Sequence, residues 1–176
     1  MRSVFVIFFL GTLYAGSVLA ERADRDKPIH LESDRATVEN TGRSDGRDRT
    51  SVFIGNVVFT QGTLVIRSDK MVVKEDANGF KNATAYGNLA SFRQKRDGIN
   101  EYIEGWSERM EYDNKADKVE LFNRARLKRG PDEVRGDYIS YEATTEFFRV
   151  NNGAKTKTNS DSRVRAIIQP KKKKKN

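Results

Sequence analysis

Apolar and polar residues alternate with a period of two along most of the chain, and that period predicts strands rather than helices. The stretch 54–73, IGNVVFTQGTLVIRSDKMVV, sets the pattern. Two runs rich in Val, Ile, Phe and Thr, residues 54–60 and 63–73, meet at Gln61-Gly62. In the second run Leu64 and Ile66 alternate with Val65 and Arg67, giving one apolar and one mixed face. A later run, 119–128, places Val119, Leu121, Ala125 and Leu127 on one face, with Phe122 the apolar exception opposite.

Turn signals separate these runs at short intervals. They are residues 42–48 (GRSDGRD), Asp76-Ala77-Asn78-Gly79, Asp97-Gly98, residues 113–117, Gly130-Pro131-Asp132, residues 142–146 and Asn152-Gly153. Residues 21–28 are polar and are expected to fray up to Pro28, where an alternating strand begins at Ile29. Residues 163–169 supply a last strand ahead of Pro170. No segment sustains an i, i+3, i+4, i+7 pattern, so almost no helix is expected. The pattern predicts an antiparallel meander folded into a sandwich, jelly roll or open barrel.

Parts of the central unit recur. Gly55-Asn56 and the Gln61 that follows return as Gly87-Asn88 and Gln94, with a degraded copy at Phe122-Asn123-Arg124. Ser68-Asp69 has an earlier echo in Ser33-Asp34 and a later one in Gly136-Asp137. The spacing of the Asn positions, 32 and then 35 residues, suggests one supersecondary unit laid beside its copies.

The ends of the chain differ from its middle. Residues 1–20 read as a signal peptide: Arg2, an apolar run over 4–13, then Val18-Leu19-Ala20 before Glu21-Arg22. That leaves residues 21–169 as one exported domain and 170–176 as a polybasic tail. The chain has no Cys, so no disulfide framework, thiolate chemistry or Cys-based metal site is available, which suits a bacterial periplasm. The net charge of +8 is concentrated at the end. Positions 151–176 hold nine of the 33 Lys and Arg residues but only one of the 25 Asp and Glu residues. The body is therefore close to neutral, and a basic stripe of the kind a nucleic-acid protein presents is not expected on it.

Catalytic chemistry is sparse. His30 is the lone histidine and alternates with Ile29 and Leu31, which puts it on a wet strand face. Asp69, Glu75 and Asp76 lack calcium-loop spacing, and the glycines match no phosphate-cradling loop. Neither a cofactor nor an enzymatic activity is expected. What remains is an apolar face carrying Ile29, Leu31, Phe53, Ile66, Phe92, Met110, Tyr112 and Leu121, able to form a dry core or to line a groove.

The ordered set Pro28-Ile29-His30-Leu31-Glu32-Ser33-Asp34, Gly55-Asn56-Val57, Thr60-Gln61-Gly62-Thr63 and Ser68-Asp69-Lys70 resembles the OstA-like family of periplasmic lipopolysaccharide-transport bridge proteins. The match continues through Tyr86-Gly87, Ala90-Ser91-Phe92, Glu104-Gly105, Met110 to Tyr112, Gly136 to Tyr141 and Arg163-Val164. It implies a twisted antiparallel β-jelly roll, V-shaped, with an open apolar groove. It also implies binding of lipopolysaccharide through its lipid A acyl chains and head-to-tail stacking between an inner-membrane extraction complex and an outer-membrane translocon. The eight apolar residues above become the expected lipid-binding set. The charged loop 42–49 and the five-lysine run depart from the family pattern.

Two other readings stand beside this one. A structural β-repeat scaffold would keep the same face as a dry core. An anion-binding module would act through the lysine tail.

Overall fold

The computed structural model describes residues 24–40, 48–151 and 163–170. The signal-peptide reading, most of the loop 42–48, the Asn152-Gly153 turn and the lysine run lie outside them. Apart from a one-turn 3-10 helix at Asp24–Asp26, the described elements are strands: β1 (Ile29–Glu32), β2 (Arg35–Asn40), β3 (Arg49–Gln61), β4 (Leu64–Asp76) and β5 (Gly79–Lys95). They continue as β6 (Tyr102–Asp113), β7 (Lys118–Arg129), β8 (Asp132–Glu142), β9 (Phe147–Asn151) and β10 (Arg165–Ile167). All pairings are antiparallel, in the order β1-β3-β4-β5-β6-β7-β8-β10, with β2 also on β3 and β9 also on β8. Alternating sequence runs joined by tight turns give this meander directly.

The long strands are bent, and the bend makes the architecture. Register shifts fall at Ile54/Val57, Arg67/Lys70, Tyr86/Ala90, Trp106/Arg109 and Phe122/Ala125, in every neighbouring pair from β3–β4 to β7–β8, with a further one in β4–β5 at Lys74/Glu75 near the strand end. A bulge inserts unpaired residues and kinks the strand. Aligned across the sheet, the bulges common to every pair form a single corner. On one side lie β1, the second half of β3, the first half of β4 and so on to β10; on the other lie β2, the remaining halves and β9. We call these the first and second layers.

The corner explains the recurrent sequence motifs. Gly55 and Asn56 have φ of 82° and 48°, and Asn123 and Arg124 have φ of 61° and 52°, a left-handed geometry that Gly and Asn accept most readily. Asn56 Nδ2 donates to Asp34 Oδ2 at 3.0 Å, and the Asp34 amide donates to the Gly55 carbonyl at 2.9 Å. The Asn88 amide donates to Asp69 Oδ2 at 3.2 Å, and Arg124 donates to Asn88 Oδ1 at 3.3 Å. The Gly-Asn and Ser-Asp repeats are thus successive strands turning the same corner, held by polar side chains along it.

The alternation predicted for 119–128 is present. Val119, Leu121, Ala125 and Leu127 are buried, and Phe122 lies outside, its ring 5.2 Å from that of Tyr138. The expectation of a frayed stretch before Pro28 needs correction. Asp24 is buried: its carboxylate accepts from the Thr63 amide at 2.9 Å, from the Thr63 hydroxyl, and from Gln94 Nε2 at 3.4 Å. The carboxylate satisfies donors exposed at the β3–β4 turn, a partnership that no local sequence pattern announces.

A side chain at Gly55 meets two obstacles, the positive φ and a Cβ position 2.2 Å from Asp34 Oδ2. Gly55→Ala is expected to lower the free energy of unfolding by roughly 1–3 kcal/mol, measured by urea denaturation. A change below a few tenths would show that the corner is not a constrained element.

Candidate functional site

The inner faces of the two layers are the most apolar surface of the described chain. Alternation turns one side chain in two inward from each half-strand, and the corner brings the two sets face to face. The five central residues of the expected set, Ile66, Phe92, Met110, Tyr112 and Leu121, are 0–2% exposed and belong to one continuous core. Ile29, Leu31 and Phe53 are partly buried and pack against its rim, on β1 and β3. All eight therefore share one interior. In this structure that interior is filled by its own side chains, as expected when two apolar faces meet in water.

The packing is between layers as well as within them. Phe59 of the first layer has its ring centroid 5.7 Å from Phe80 and 5.9 Å from Tyr112 of the second. Phe92 stacks on Tyr141 across the interior at 6.2 Å. The Phe92 ring sits over Gly105, where an added Cβ would lie 2.2 Å from a ring carbon. Phe59, Met71, Phe80 and Tyr141 are interior residues beyond the expected set. Alternation does mark them, since Phe59 precedes Gln61 by two and Tyr141 follows Ile139 by two.

Away from the corner, the strand ends of both layers come together at the mouth of the V, where polar contacts lace it. Gln61, 1% exposed, accepts from the Tyr112 hydroxyl at 3.1 Å and donates to Asn114 Oδ1 at 3.3 Å and to the Lys27 carbonyl at 3.4 Å. Further along, Arg96 on the β5–β6 turn grips Glu146 on the β8–β9 turn through two hydrogen bonds, at 3.1 and 2.6 Å. Arg96 also bonds Glu101 at 2.6 Å. The Arg96 and Glu146 side chains are only 17% and 28% exposed, so solvent screens this pair less than a surface ion pair. The hydrogen bond from Arg96 holds the Glu146 carboxyl below the usual glutamate range. The same bond raises the Arg96 pKa. Burial pushes the Tyr141 hydroxyl well above its ordinary value, so it stays neutral inside the core. A cleft of about 700 Å³ opens beside the mouth, lined by Asp26, Asp76, Phe80, Lys81, Asp113 and Asn114 among others.

The arrangement offers apolar contact without reactive groups. His30 is exposed on β1, as the alternation predicts. Among the described residues no cluster of His, Asp and Glu could hold a metal ion. No helix among them is long and apolar enough to cross a membrane. Arg124 points outward at the corner, towards Asn88 and Glu108.

The Arg96–Glu146 clasp carries a pH dependence. Because the folded-state pKa of Glu146 is lowered, its contribution is complete above the unfolded glutamate pKa of about 4.3 and is lost as pH falls further. Glu146→Gln is expected to lower stability at pH 7 by about 1 kcal/mol and to cost less as pH falls below the usual glutamate range, followed by thermal unfolding at pH 7 and pH 3. An equal loss at both would mean that packing, not the ion pair, carries the effect.

Comparison with known proteins gives a consistent result. A family model described as "LptA/(LptD N-terminal domain) LPS transport protein" matches residues 30–147. The lipopolysaccharide export system protein LptA of Escherichia coli K12 is 34% identical over 134 residues, 74% of this chain and 69% of the relative. LptH of Pseudomonas aeruginosa, a lipopolysaccharide export system protein, is 28% identical over 173 residues, 96% of this chain and 94% of the relative. The crystal structure of P. aeruginosa LptH superposes with a TM-score of 0.74 at 23% identity, covering 84% of this chain and 99% of that one, a likeness of fold. LptH is described there as the LptA-homologous periplasmic component of the conserved lipopolysaccharide transport device. The open, bent antiparallel sheet is therefore the jelly roll that the family resemblance implies, and the chain belongs to the LptA/LptD N-terminal domain family of lipopolysaccharide transport proteins.

Proposed function

We propose that this chain is a periplasmic, non-enzymatic carrier of lipopolysaccharide, moving it from the inner to the outer membrane of a Gram-negative bacterium. The observation that carries the reading is the interior itself: one apolar surface, shared by two layers of a single sheet and running from β1 to β9. Residues 1–20 would act as the export signal, 21–169 as the carrier domain and 170–176 as a tail outside it.

Acyl chains are held in this scheme between the layers, against Ile29, Leu31, Phe53, Ile66, Phe92, Met110, Tyr112 and Leu121. Burying a methylene is worth about 0.8 kcal/mol, so a chain of about twelve gains roughly 10 kcal/mol on leaving water. Parting the layers exposes apolar side chains, and the entering chains cover them again, so the exchange is close to balanced. Contacts of this kind have no preferred direction and similar strength at successive strands, which permits sliding. No hydrolysis by this chain is needed.

The sheet ends support assembly in series. β1 and β2 at one end and β9 and β10 at the other are each hydrogen-bonded on one side only in the observed sheet order. Val38 on β2 and Phe147 on β9 are more than half exposed. Such edges accept a further strand from a like-folded domain. Copies of this chain, the inner-membrane extraction complex and the outer-membrane translocon are the partners proposed.

The near-zero exposure of the central residues favours a second reading, a scaffold with a permanently dry core. Photocrosslinking in cells separates the two. With probes at Ile29, Phe53, Phe92 and Tyr112, and at Arg124 as the outward control, the carrier reading expects lipopolysaccharide adducts at the first four and none at Arg124. Adducts at none of the interior positions would leave the scaffold.

A further inference from the structure

We propose that the outer face of the first layer is a docking surface for an anionic phospholipid bilayer. Cross-strand register puts Arg67, Ser91, Trp106, Arg126, Arg135 and Arg165 in one row across six strands. The row beside it carries Arg93, Glu104, Lys128 and Glu133 and ends at Ile167 on the edge strand. Followed on through Val58 of β3 to Glu32 of β1, these rows hold six basic side chains against three acidic ones. The near-neutral body expected from composition thus conceals a one-sided distribution, because strand pairing gathers arginines that lie far apart in sequence.

The face is also organised for an interface. Glu133 is sunk between two arginines, accepting from Arg126 at 2.7 Å and from Arg135 at 2.5 Å, with its side chain 13% exposed. Both hydrogen bonds hold the Glu133 carboxyl below its usual range against the opposing effect of burial. One carboxylate therefore orients two guanidiniums and leaves the group net positive. Arg126 lies over the indole of Trp106, 4.5 Å from the ring centre, and Arg93 over the ring of Tyr102 at 3.5 Å. At the edge, Ile167 is 54% exposed on the same face and Ile168 beside it is 79% exposed. Arginine for phosphate, with tryptophan and isoleucine for the boundary below the headgroups, is the chemistry of a bilayer surface. A purely phosphate-bearing polymer would use the arginines and leave the isoleucines in water. Docking this face would leave the interior and the second-layer edge strands β2 and β9 accessible.

Trp106 is the only tryptophan, so its emission reports on this face alone. The mature chain is mixed with vesicles of phosphatidylethanolamine and phosphatidylglycerol, or of phosphatidylcholine, and bound protein is measured by sedimentation. Binding at least tenfold tighter to the anionic vesicles is expected, weakening with salt, with a blue shift of Trp106 emission. Arg135→Glu combined with Arg165→Glu should lower vesicle affinity at least tenfold. Arg165→Glu alone, on an edge strand outside the core, should lower it several-fold at an unchanged unfolding midpoint. Replacing the five lysines at 171–175 with Gln should leave the Trp106 shift in place. The proposal is overturned if binding disappears with the lysines and survives both arginine variants. It also fails if neutral vesicles bind equally well, if Trp106 emission does not move on binding, or if soluble polyphosphate gives the full effect and vesicles none.

Discussion

Every long strand from β3 to β8 belongs to both layers, so the interior exists only because each strand turns the same corner. A flat sheet of this sequence would leave its apolar face in water. The bulges convert that face into two halves that cover each other, and the Gly, Asn, Ser and Asp residues at the corner make the turn conformationally accessible. Asn56, Asn123 and Arg124 adopt positive φ there, and Asp34, Asp69 and Asn88 tie neighbouring strands together across it. Bend, interior and layer separation are one mechanical unit.

With the corner as hinge, the mouth decides whether the interior is closed. Gln61 reaches Tyr112 and Asn114 near one end of the sheet, and Arg96 grips Glu146 further along. These are a few polar contacts between strand ends that face each other across the mouth, whereas the interior itself is held by non-directional packing. Polar contacts at an opening are exchanged with water more readily than a corner built into every strand is straightened. Opening at the mouth about the corner is the motion that the proposed carrier role requires, and it would present a row of Ile, Phe, Met and Tyr side chains to an apolar guest.

Much of this was legible in the sequence because a period of two reads directly as strand and face. The alternation of Val119, Leu121, Ala125 and Leu127, the outward Phe122 and the shared interior of Ile66, Phe92 and Met110 all follow from it. The Gly-Asn recurrence is visible as a repeat but not as a corner, since a bulge acquires its meaning only from the register of its neighbours. Asp24 reads as part of a polar, fraying segment because its partners Thr63 and Gln94 are distant in sequence. The same holds for Arg96 and Glu146, fifty residues apart, and for the arginine row, which composition averages away. Long-range pairing of polar groups is where local pattern has least to say.

The central claim is that the two layers part at the mouth to admit acyl chains. The chain has no cysteine, so spin labels can be placed cleanly at Asn100→Cys on the β5–β6 turn and Thr144→Cys on the β8–β9 turn, both exposed. Pulsed electron paramagnetic resonance then gives the distance across the mouth with and without lipopolysaccharide. The account predicts a longer distance, by several ångströms, when lipopolysaccharide is bound. An unchanged distance at saturating lipopolysaccharide would contradict it.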